Sequence, residues 1–320
     1  MPRNLDRIGR YFTCFGKTMG ESTRIEVMTV DQEGLSENHF FNHATCDGQG
    51  ALLEIQKIRG ETEIELPQQR AESVPPLPRQ LLLMTDYLKT MGQAATPSLK
   101  RIKSLKGLPN SSSYHSFSLD ETNALLAFCK ARNVSPTAFL TWTLHKAIGE
   151  QSGMIDQVCN WSIPVSIRAA LSSPETTGNK SVPLFLSLDH KSSLEDIHGE
   201  VKNQLIMGRH WGAYRMLMLL GCLPNRIYEA VIRQDEAKMA RKGQWFAILS
   251  NIGSVRGDEN VAFKGCLAPT DPTAPIKGTS LTWNGRMTLG LSVHQSFFQY
   301  SLHADFLMKA WVRVIAQTYS

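Results

Sequence analysis

The sequence lacks the patterns that mark metal-binding, secreted and membrane-spanning proteins. Its six cysteines form no Cys-x-x-Cys pair, and no histidine stands at zinc-ligand spacing from any of them. We therefore predict no metal site and reduced, mostly packed thiols in a cytoplasmic protein. The N-terminal residues have no apolar signal segment. The longest apolar run, 216–223, is far too short to cross a bilayer.

The chain also lacks internal repeats, long low-complexity tracts and a strongly charged region. Its net charge is only +5, and its lysines and arginines are scattered. No basic stripe is interleaved with aromatic residues, so nucleic-acid binding is not expected. One modest basic cluster is either a solvated linker or a contact for an acidic or phosphate-bearing partner; it consists of Lys100, Arg101, Lys103 and Lys106.

What is present is the composition of a globular protein, with 42% hydrophobic and 20% charged residues. A chain of 320 residues exceeds one ordinary compact domain, so we predict two lobes. The prolines that cluster between Gly60 and Ser113 indicate a crossover between them. The predicted organisation is a partial N-terminal lobe over 1–60, a crossover over 61–113 and a C-terminal lobe over 114–320.

Hydrophobic periodicity predicts a mixed α+β fold rather than regular βαβ alternation. In the first lobe, strands over 23–30 and 38–42 form a hairpin, and a helix over 50–59 follows. Further strands are predicted over 114–119, 157–165, 182–188, 244–249, 279–283 and 287–294, and further helices over 79–91, 120–132, 136–149, 193–208, 213–221, 225–239 and 301–317.

Local signals support several of these boundaries. Ser118 and Glu121 have the spacing of a capping box at a helix start. Ser135 is the N-cap expected before Pro136 at the first helical position. The dipeptide Asn284-Gly285 between two apolar runs is a strong hairpin signal.

One short motif, His43-x-x-x-Asp47-Gly48, carries the most chemistry. His43 follows the apolar pair Phe40-Phe41 at the end of a predicted strand, and Asp47-Gly48 predicts a turn. A rigidly held neutral imidazole accepts a proton near pH 7, and Asp47 is close enough in sequence to brace its loop. Taken alone, the motif also fits a surface turn with an incidental histidine.

Other residues offer weaker candidates. Cys46 beside His43 suggests a Cys/His hydrolase, although no orienting asparagine or aspartate is evident. His39 shares a strand face with position 43, but an ordinary strand histidine explains it more simply. His294 and His303 are isolated, and isolated histidines are usually structural.

Four elements in order resemble the chloramphenicol-acetyltransferase-like acyltransferases, a superfamily that includes condensation domains, alcohol acetyltransferases and wax ester synthases. The segment 43–48 is similar to its H-x-x-x-D-G motif. The segment 117–144 is similar to its entry into the second lobe, a strand followed by two helices. IPVSIR at 163–168, followed by Gly178-Asn179, resembles its P-v-s-x-R motif, and LSNIG at 249–253 resembles its S-N-x-G element.

The resemblance implies an α+β, two-lobed acyltransferase fold with mixed sheets flanked by helices. It implies acyl transfer from a thioester to a hydroxyl or amine without an acyl-enzyme, with His43 as base and then acid. Asp47 is expected to point away from the pocket and to form a bidentate pair with Arg168.

The resemblance also implies candidate contacts for the oxyanion and classes of substrate. The backbone N–H of Gly48 and the side chains of Ser250 and Asn251 are the candidate donors. Either acyl-CoA or a carrier protein supplies the thioester as co-substrate, a small molecule is the acceptor, and no cofactor is tightly bound. Members of this superfamily are usually monomers.

The chain departs from the family pattern in three places. Asn42 stands where the family usually has the first of two histidines, and no D-F-G-W-G motif is present. Only 42 residues precede His43, so part of the first lobe is expected to be missing. These departures keep an alternative open, a truncated, non-catalytic condensation-like protein that binds a partner or a thioester carrier.

Overall fold

A computed structural model describes residues 14, 23–43, 45–60, 65–67, 72–93, 109–153, 158–171, 177–242, 246–300 and 302–319. The basic cluster at 100–106 lies outside these residues. The strands are β1 Arg24–Asp31, β2 Ser36–Asn42, β3 Ser111–Ser116, β4 Cys159–Ser166, β5 Ser181–Leu188, β6 Phe246–Val255, β7 Val261–Leu267, β8 Ile276–Trp283 and β9 Arg286–Val293. The helices are α1 Gly48–Arg59, α2 Leu77–Gln93, α3 Leu119–Ala131, α4 Pro136–Ser152, α5 Leu194–Met207, α6 Arg209–Leu220, α7 Asn225–Lys242 and α8 Ala304–Tyr319, with a 3₁₀ turn at Gln295–Tyr300.

Among the described residues, the smaller sheet has three strands in the order β2-β1-β7, all antiparallel. Alternation in β1 places Ile25 and Val27 on a buried face, as period-two patterning requires. Leu52 and Ile55 of α1 pack in the same apolar cluster. The helix therefore covers one face of the hairpin that delivers His43.

The larger sheet, in the part of the chain that the structure describes, has six strands in the order β3-β9-β8-β6-β4-β5. Strand β6 runs parallel to both β4 and β8, and the other neighbouring pairs are antiparallel. The main core lies between this sheet and helices that include α4 and α8, where Trp161 and Trp311 are fully buried. Strand β7 joins the sheets, since the Thr279 hydroxyl on β8 donates to the Cys266 carbonyl on β7.

Several local predictions are confirmed. Ser118 and Glu121 form both bonds of the capping box of α3. The Ser135 hydroxyl accepts from the Ala138 N–H at 3.2 Å and caps α4. The β8–β9 hairpin turns at Asn284-Gly285, where both residues have positive φ, as a type I′ turn requires.

Other predictions need correction. The strand predicted over 114–119 lies at Ser111–Ser116, because Ser118 already caps the next helix. Strand β6 does not stop at Leu249 but continues to Val255, with a register shift between Asn251 and Gly253. Strand β7 was not predicted. Strand β7 forms because it pairs with β1, which lies far away in the sequence, and local sequence patterns do not reveal such a pairing.

In the described part of the chain, no helix is long and apolar enough to cross a membrane. Over the same residues, no group of three or more histidine, cysteine, aspartate or glutamate side chains is arranged to hold a metal ion. The predicted boundaries of the two lobes and the crossover stay predictions, although α2 lies where the crossover helix was expected.

Candidate active site

His43 is the first residue after β2, where the chain bends towards α1. Its N–H donates to the Thr23 carbonyl at 2.7 Å, which extends the β1–β2 pairing by one step. The Asn42 carbonyl accepts from the Thr45 and Cys46 N–H groups at 2.9 and 3.1 Å. The loop that carries the imidazole is therefore fixed by its own backbone bonds.

The surroundings of His43 select its neutral tautomer. Nδ1 lies 3.0 Å from the Cys46 carbonyl oxygen, which can only accept. The Asn179 side-chain nitrogen, which can only donate, also lies 3.4 Å from Nδ1, but the Cys46 carbonyl is nearer. We therefore assign the hydrogen to Nδ1 and the lone pair to Nε2. This is the tautomer that a general base acting through Nε2 requires.

The same surroundings keep the ring neutral. Burial, with a smaller contribution from the charge of Lys277, outweighs the opposing effects of the Cys46 carbonyl and Asp47 and lowers the pKa of His43 to about 4. The Lys277 ammonium itself lies 3.1 Å from the Asp271 carboxylate. At pH 7 essentially every His43 side chain is in the proton-accepting form.

Asp47 fixes the other end of the loop. The dipeptide Asp47-Gly48 does not form the predicted turn, because Asp47 is the N-cap of α1 and Gly48 its first residue. Asp47 Oδ1 accepts from the Gly50 N–H at 2.9 Å, which satisfies one of the orphan amides of the helix start. The motif is therefore a strand end joined directly to a helix start.

Asp47 is also buried in a polar network. Arg168, which is fully buried, donates from Nη2 to Oδ1. The second carboxylate oxygen does not meet the guanidinium as the bidentate prediction required. Instead, Oδ2 accepts from the Lys180 N–H and the Ser181 hydroxyl, both at 3.0 Å. The carboxylate oxygens thus accept hydrogen bonds from Gly50, Arg168, Lys180 and Ser181.

Several partners of this loop come from one short stretch, residues 177–181, which leads into β5. The Thr177 carbonyl packs so closely on Gly50 that an added Cβ there would lie 2.0 Å from its oxygen. The Gly178 carbonyl accepts from Arg168 at 2.8 Å. This 177–181 segment ties the edge of the six-stranded sheet to the His43 loop of the three-stranded sheet.

Asn179 of the same segment was not among the predicted site residues. It is fully buried, and its Nδ2 donates to the His43 carbonyl at 3.1 Å while lying 3.4 Å from His43 Nδ1. Its Oδ1 accepts from the Ser181 N–H at 3.1 Å. The Gly178-Asn179 pair in the sequence was the available signal, but local sequence does not show that it reaches position 43.

The predicted oxyanion candidates lie on α1 and β6. Gly48 opens α1, so its N–H belongs to the amides that have no acceptor within the helix. Asn251 donates to the Thr137 hydroxyl at 3.0 Å, and its Oδ1 accepts from the Gly253 N–H and the Ser280 hydroxyl. Ser250 is partly buried and pairs with Thr279 of β8. A role for these groups in chemistry stays a prediction.

The weaker candidates have ordinary structural surroundings. Burial raises the pKa of the Cys46 thiol to about 12, so a thiolate nucleophile is disfavoured at pH 7. His39 Nε2 lies 3.4 Å from the Thr29 hydroxyl and 3.5 Å from Glu37, on the hairpin itself. His294 is buried against Ser296, and the His303 ring contacts Phe306.

An open cavity of about 530 Å³ lies at the end of the β1–β2 hairpin. Its lining consists of Thr23, Arg24, Phe40, Phe41 and Asn42. These residues directly precede His43 or pair with its neighbours. Space for a small molecule therefore exists beside the strand end that carries the imidazole.

Comparison with known proteins gives no match to a protein-family model or to a curated protein. Solved structures do match. The cyclization-docking bidomain of the EpoB nonribosomal peptide synthetase from Sorangium cellulosum superposes with a TM-score of 0.57 at 12% identity, covering 89% of this chain and 60% of that one. The condensation domain of the monacolin K polyketide synthase MokA gives 0.54 at 10% identity, with coverages of 89% and 69%. Wax ester synthase/diacylglycerol acyltransferase from Marinobacter aquaeolei VT8 gives 0.52 at 14% identity, with coverages of 88% and 68%.

These structures belong to the chloramphenicol-acetyltransferase-like superfamily that the sequence motifs resemble. Identities of 10 to 14% show the fold alone, and this chain spans only 60% of the length of the bidomain. The absence of part of the first lobe stays a prediction. The chain therefore adopts the condensation-domain and acyltransferase fold, with two sheets flanked by helices, as the resemblance predicted.

Proposed function

We propose that this protein transfers an acyl group from a thioester to a hydroxyl or amine, with His43 as the general base. One observation carries the proposal: His43 Nδ1 lies 3.0 Å from the Cys46 carbonyl oxygen, a contact that assigns the ring lone pair to Nε2. The fold it shares with condensation domains and a wax ester synthase supports the reaction class.

The proposed reaction needs two proton movements. As the acceptor oxygen or nitrogen attacks the thioester carbonyl carbon, His43 Nε2 takes its proton. The carbonyl oxygen becomes an oxyanion, for which the amide of Gly48 at the start of α1 is the candidate donor. When the carbon–sulfur bond breaks, the imidazolium returns the proton to the leaving thiolate. No acyl-enzyme is formed.

The low pKa of His43 has two consequences for this mechanism. The base is fully available at pH 7, but in the free protein its proton affinity is weak. The oxyanion that forms during attack offsets this weakness, because a nearby negative charge favours the imidazolium. The proton affinity of the base therefore rises at the step that uses it.

The substrates remain within broad classes. Acyl-CoA or a carrier protein supplies the thioester, and a small molecule is the acceptor. We place the small-molecule acceptor in the cavity at the β1–β2 hairpin end, whose lining residues Phe40, Phe41 and Asn42 directly precede His43. The proposal further includes a cytoplasmic monomer that acts without a tightly bound cofactor.

The test follows release of free thiol from a panel of acyl-CoAs mixed with simple alcohols and amines. His43→Ala should lower acceptor-dependent release by about 10²–10⁴-fold, the usual worth of a general base. His39→Ala is the matched control, since His39 lies on the same hairpin and should leave the rate unchanged. Release that survives His43→Ala would contradict the mechanism. Release from no pair in the panel, with acyl-carrier protein also tried, would favour the non-catalytic alternative.

The pH dependence gives a second check on the base. Because neutral imidazole is the active form, kcat/KM should fall as the pH drops through about 4, the pKa of His43. An ordinary exposed histidine would instead give a fall near pH 6.5. Initial rates in overlapping buffers at constant ionic strength would separate the two.

A further inference from the structure

Asn179 occupies an unusual place relative to His43. It comes from the 177–181 segment beside the six-stranded sheet, whereas His43 ends a strand of the other sheet. The Asn179 amide is fully buried and is the group of that segment that bonds to the His43 residue itself. Lys180 and Ser181 of the same segment donate to Asp47.

The orientation of the amide is determined by its two partners. Oδ1 must face the Ser181 N–H, which only donates, and Nδ2 must face the His43 carbonyl, which only accepts. A flipped amide would lose both bonds. The Asn179 side chain therefore links the start of β5 to the backbone of His43 in one fixed orientation.

The Asn179 amide also lies close to the His43 imidazole ring. Nδ2 lies 3.4 Å from His43 Nδ1, and the Cys46 carbonyl lies closer, at 3.0 Å. A second N–H facing Nδ1 disfavours any shift that would carry the ring towards Asn179. The ring hydrogen is thereby kept directed at the Cys46 carbonyl, which maintains Nε2 as the proton acceptor.

We propose that Asn179 is a positioning residue for the base: it holds the His43 backbone and thereby the ring geometry that presents Nε2 to the substrate. This inference rests on the proposed function for its kinetic consequence, whereas its structural consequence stands apart from it. The charged groups that act on His43 are Asp47, at the start of α1, and Lys277, on β8, which is paired with Asp271.

Two variants separate the donor from the rest of the side chain. Asn179→Asp keeps the size and the acceptor for the Ser181 N–H but cannot donate to the His43 carbonyl. Asn179→Ala removes both bonds. Asn160→Ala is the matched control, because Asn160 is also fully buried and bonds to Ser187 in the sheet, away from His43.

The first readout is independent of activity. In protein labelled with ¹⁵N-histidine, the His43 ring signals are those missing from His43→Gln. In the wild type they should report a protonated Nδ1 and an unprotonated Nε2. Both Asn179 variants should move these signals, and Asn179→Asp should raise the His43 pKa by about one to three units because it adds a nearby anion. Asn160→Ala should leave them in place.

The second readout is kinetic. Misplacing a reacting group costs up to about 100-fold, so both Asn179 variants should lower kcat by about 10–100-fold with KM little changed. The acidic limb of the pH profile should move upward in Asn179→Asp. Asn160→Ala should retain kcat.

The outcomes distinguish the two proposals. Unchanged His43 signals in both folded Asn179 variants would overturn the positioning role, whatever the activity. Shifted signals in a protein that transfers no acyl group would uphold the positioning role and count against acyl transfer. Equal loss of kcat in Asn179→Ala and Asn160→Ala, without a change specific to His43, would assign the effect to general loss of packing and overturn the inference.

Discussion

Two regions that the sequence nominates together, the His43 loop and the LSNIG stretch of β6, differ in how their polar groups are used. At the His43 loop, Asp47 and Asn179 each bond to loop backbone, at the Gly50 N–H and the His43 carbonyl, and His43 Nδ1 faces the Cys46 carbonyl. In β6, the Asn251 amide itself connects α4, β8 and its own strand. We therefore expect chemistry from the loop and scaffolding from β6.

This difference teaches that a motif match alone does not separate reacting groups from supporting ones. Both stretches resemble family motifs equally well in sequence. Only an account of which donor meets which acceptor distinguishes them. The predictions below test the comparison, first at the supports of the loop and then at β6.

The largest effect is expected from Arg168→Ala. It leaves the Asp47 carboxylate buried without its guanidinium partner, which costs about 3–5 kcal/mol of unfolding free energy. Arg132→Ala is the control, since its pair with Glu195 is exposed and worth at most about 1 kcal/mol. Urea unfolding of both variants measures the contrast. Equal losses would show that the buried pair has no special role in holding the loop.

Next comes Gly50→Ala, which tests the contact between α1 and the 177–181 segment. Because the added Cβ would meet the Thr177 carbonyl at 2.0 Å, the loop must shift, and we expect a loss of about 1–3 kcal/mol together with lower kcat. Gly199→Ala in α5 has open space around its Cβ and should gain about 0.5–1 kcal/mol. Thermal melting of the pair checks the sign of each change.

Asn251→Ala tests whether this residue of β6 supports the structure or takes part in the chemistry. Loss of its three bonds should cost about 1–3 kcal/mol of stability. As a scaffold residue it should lower kcat by less than about tenfold, whereas loss of an oxyanion donor costs about 100-fold or more. Thr137→Val removes one of the same bonds and serves as the milder control. A 100-fold fall in kcat with intact stability would make Asn251 part of the chemistry after all.

The smallest effect is expected from Cys46→Ala. The thiol is buried and has a raised pKa, so acyl transfer should proceed at an unchanged rate. A thiol-specific alkylating agent should label Cys222, which is exposed, well before any of the buried cysteines. A covalent acyl adduct at Cys46 in the mass spectrum of the intact protein would contradict this and revive the Cys/His mechanism.

The features that could be predicted from the sequence are those that depend on interactions between residues close together in the chain. The capping box at Ser118 and the turn at Asn284-Gly285 depend on neighbouring residues, and both are confirmed. The helix and hairpin around His43 were located because alternation and helical periodicity are local patterns. The resemblance to the acyltransferase superfamily then gave the fold correctly.

The features that escaped prediction depend on distant partners. Strand β7 exists because β1 pairs with it, and β6 extends through the LSNIG stretch because a register shift after Asn251 keeps it paired with β8. The bond from Asn179 to His43 likewise joins residues far apart in sequence. Such contacts join residues that are far apart in the sequence, so neither hydrophobic periodicity nor composition indicates them.

The pairing of β1 with β7 also sets an order of events during synthesis. The ribosome delivers β1 and β2 before the other described strands, but their partner strand β7 emerges only after helices α1 to α7 and strands β3 to β6. Until β7 emerges, the edge of β1 that will pair with it stays open in the nascent chain. Pairing β1 with β7 closes a long loop, so we expect this pairing to be a slow step in folding. The sheet that carries the proposed base is thus begun before the larger sheet and completed only after four strands of the larger sheet have been translated.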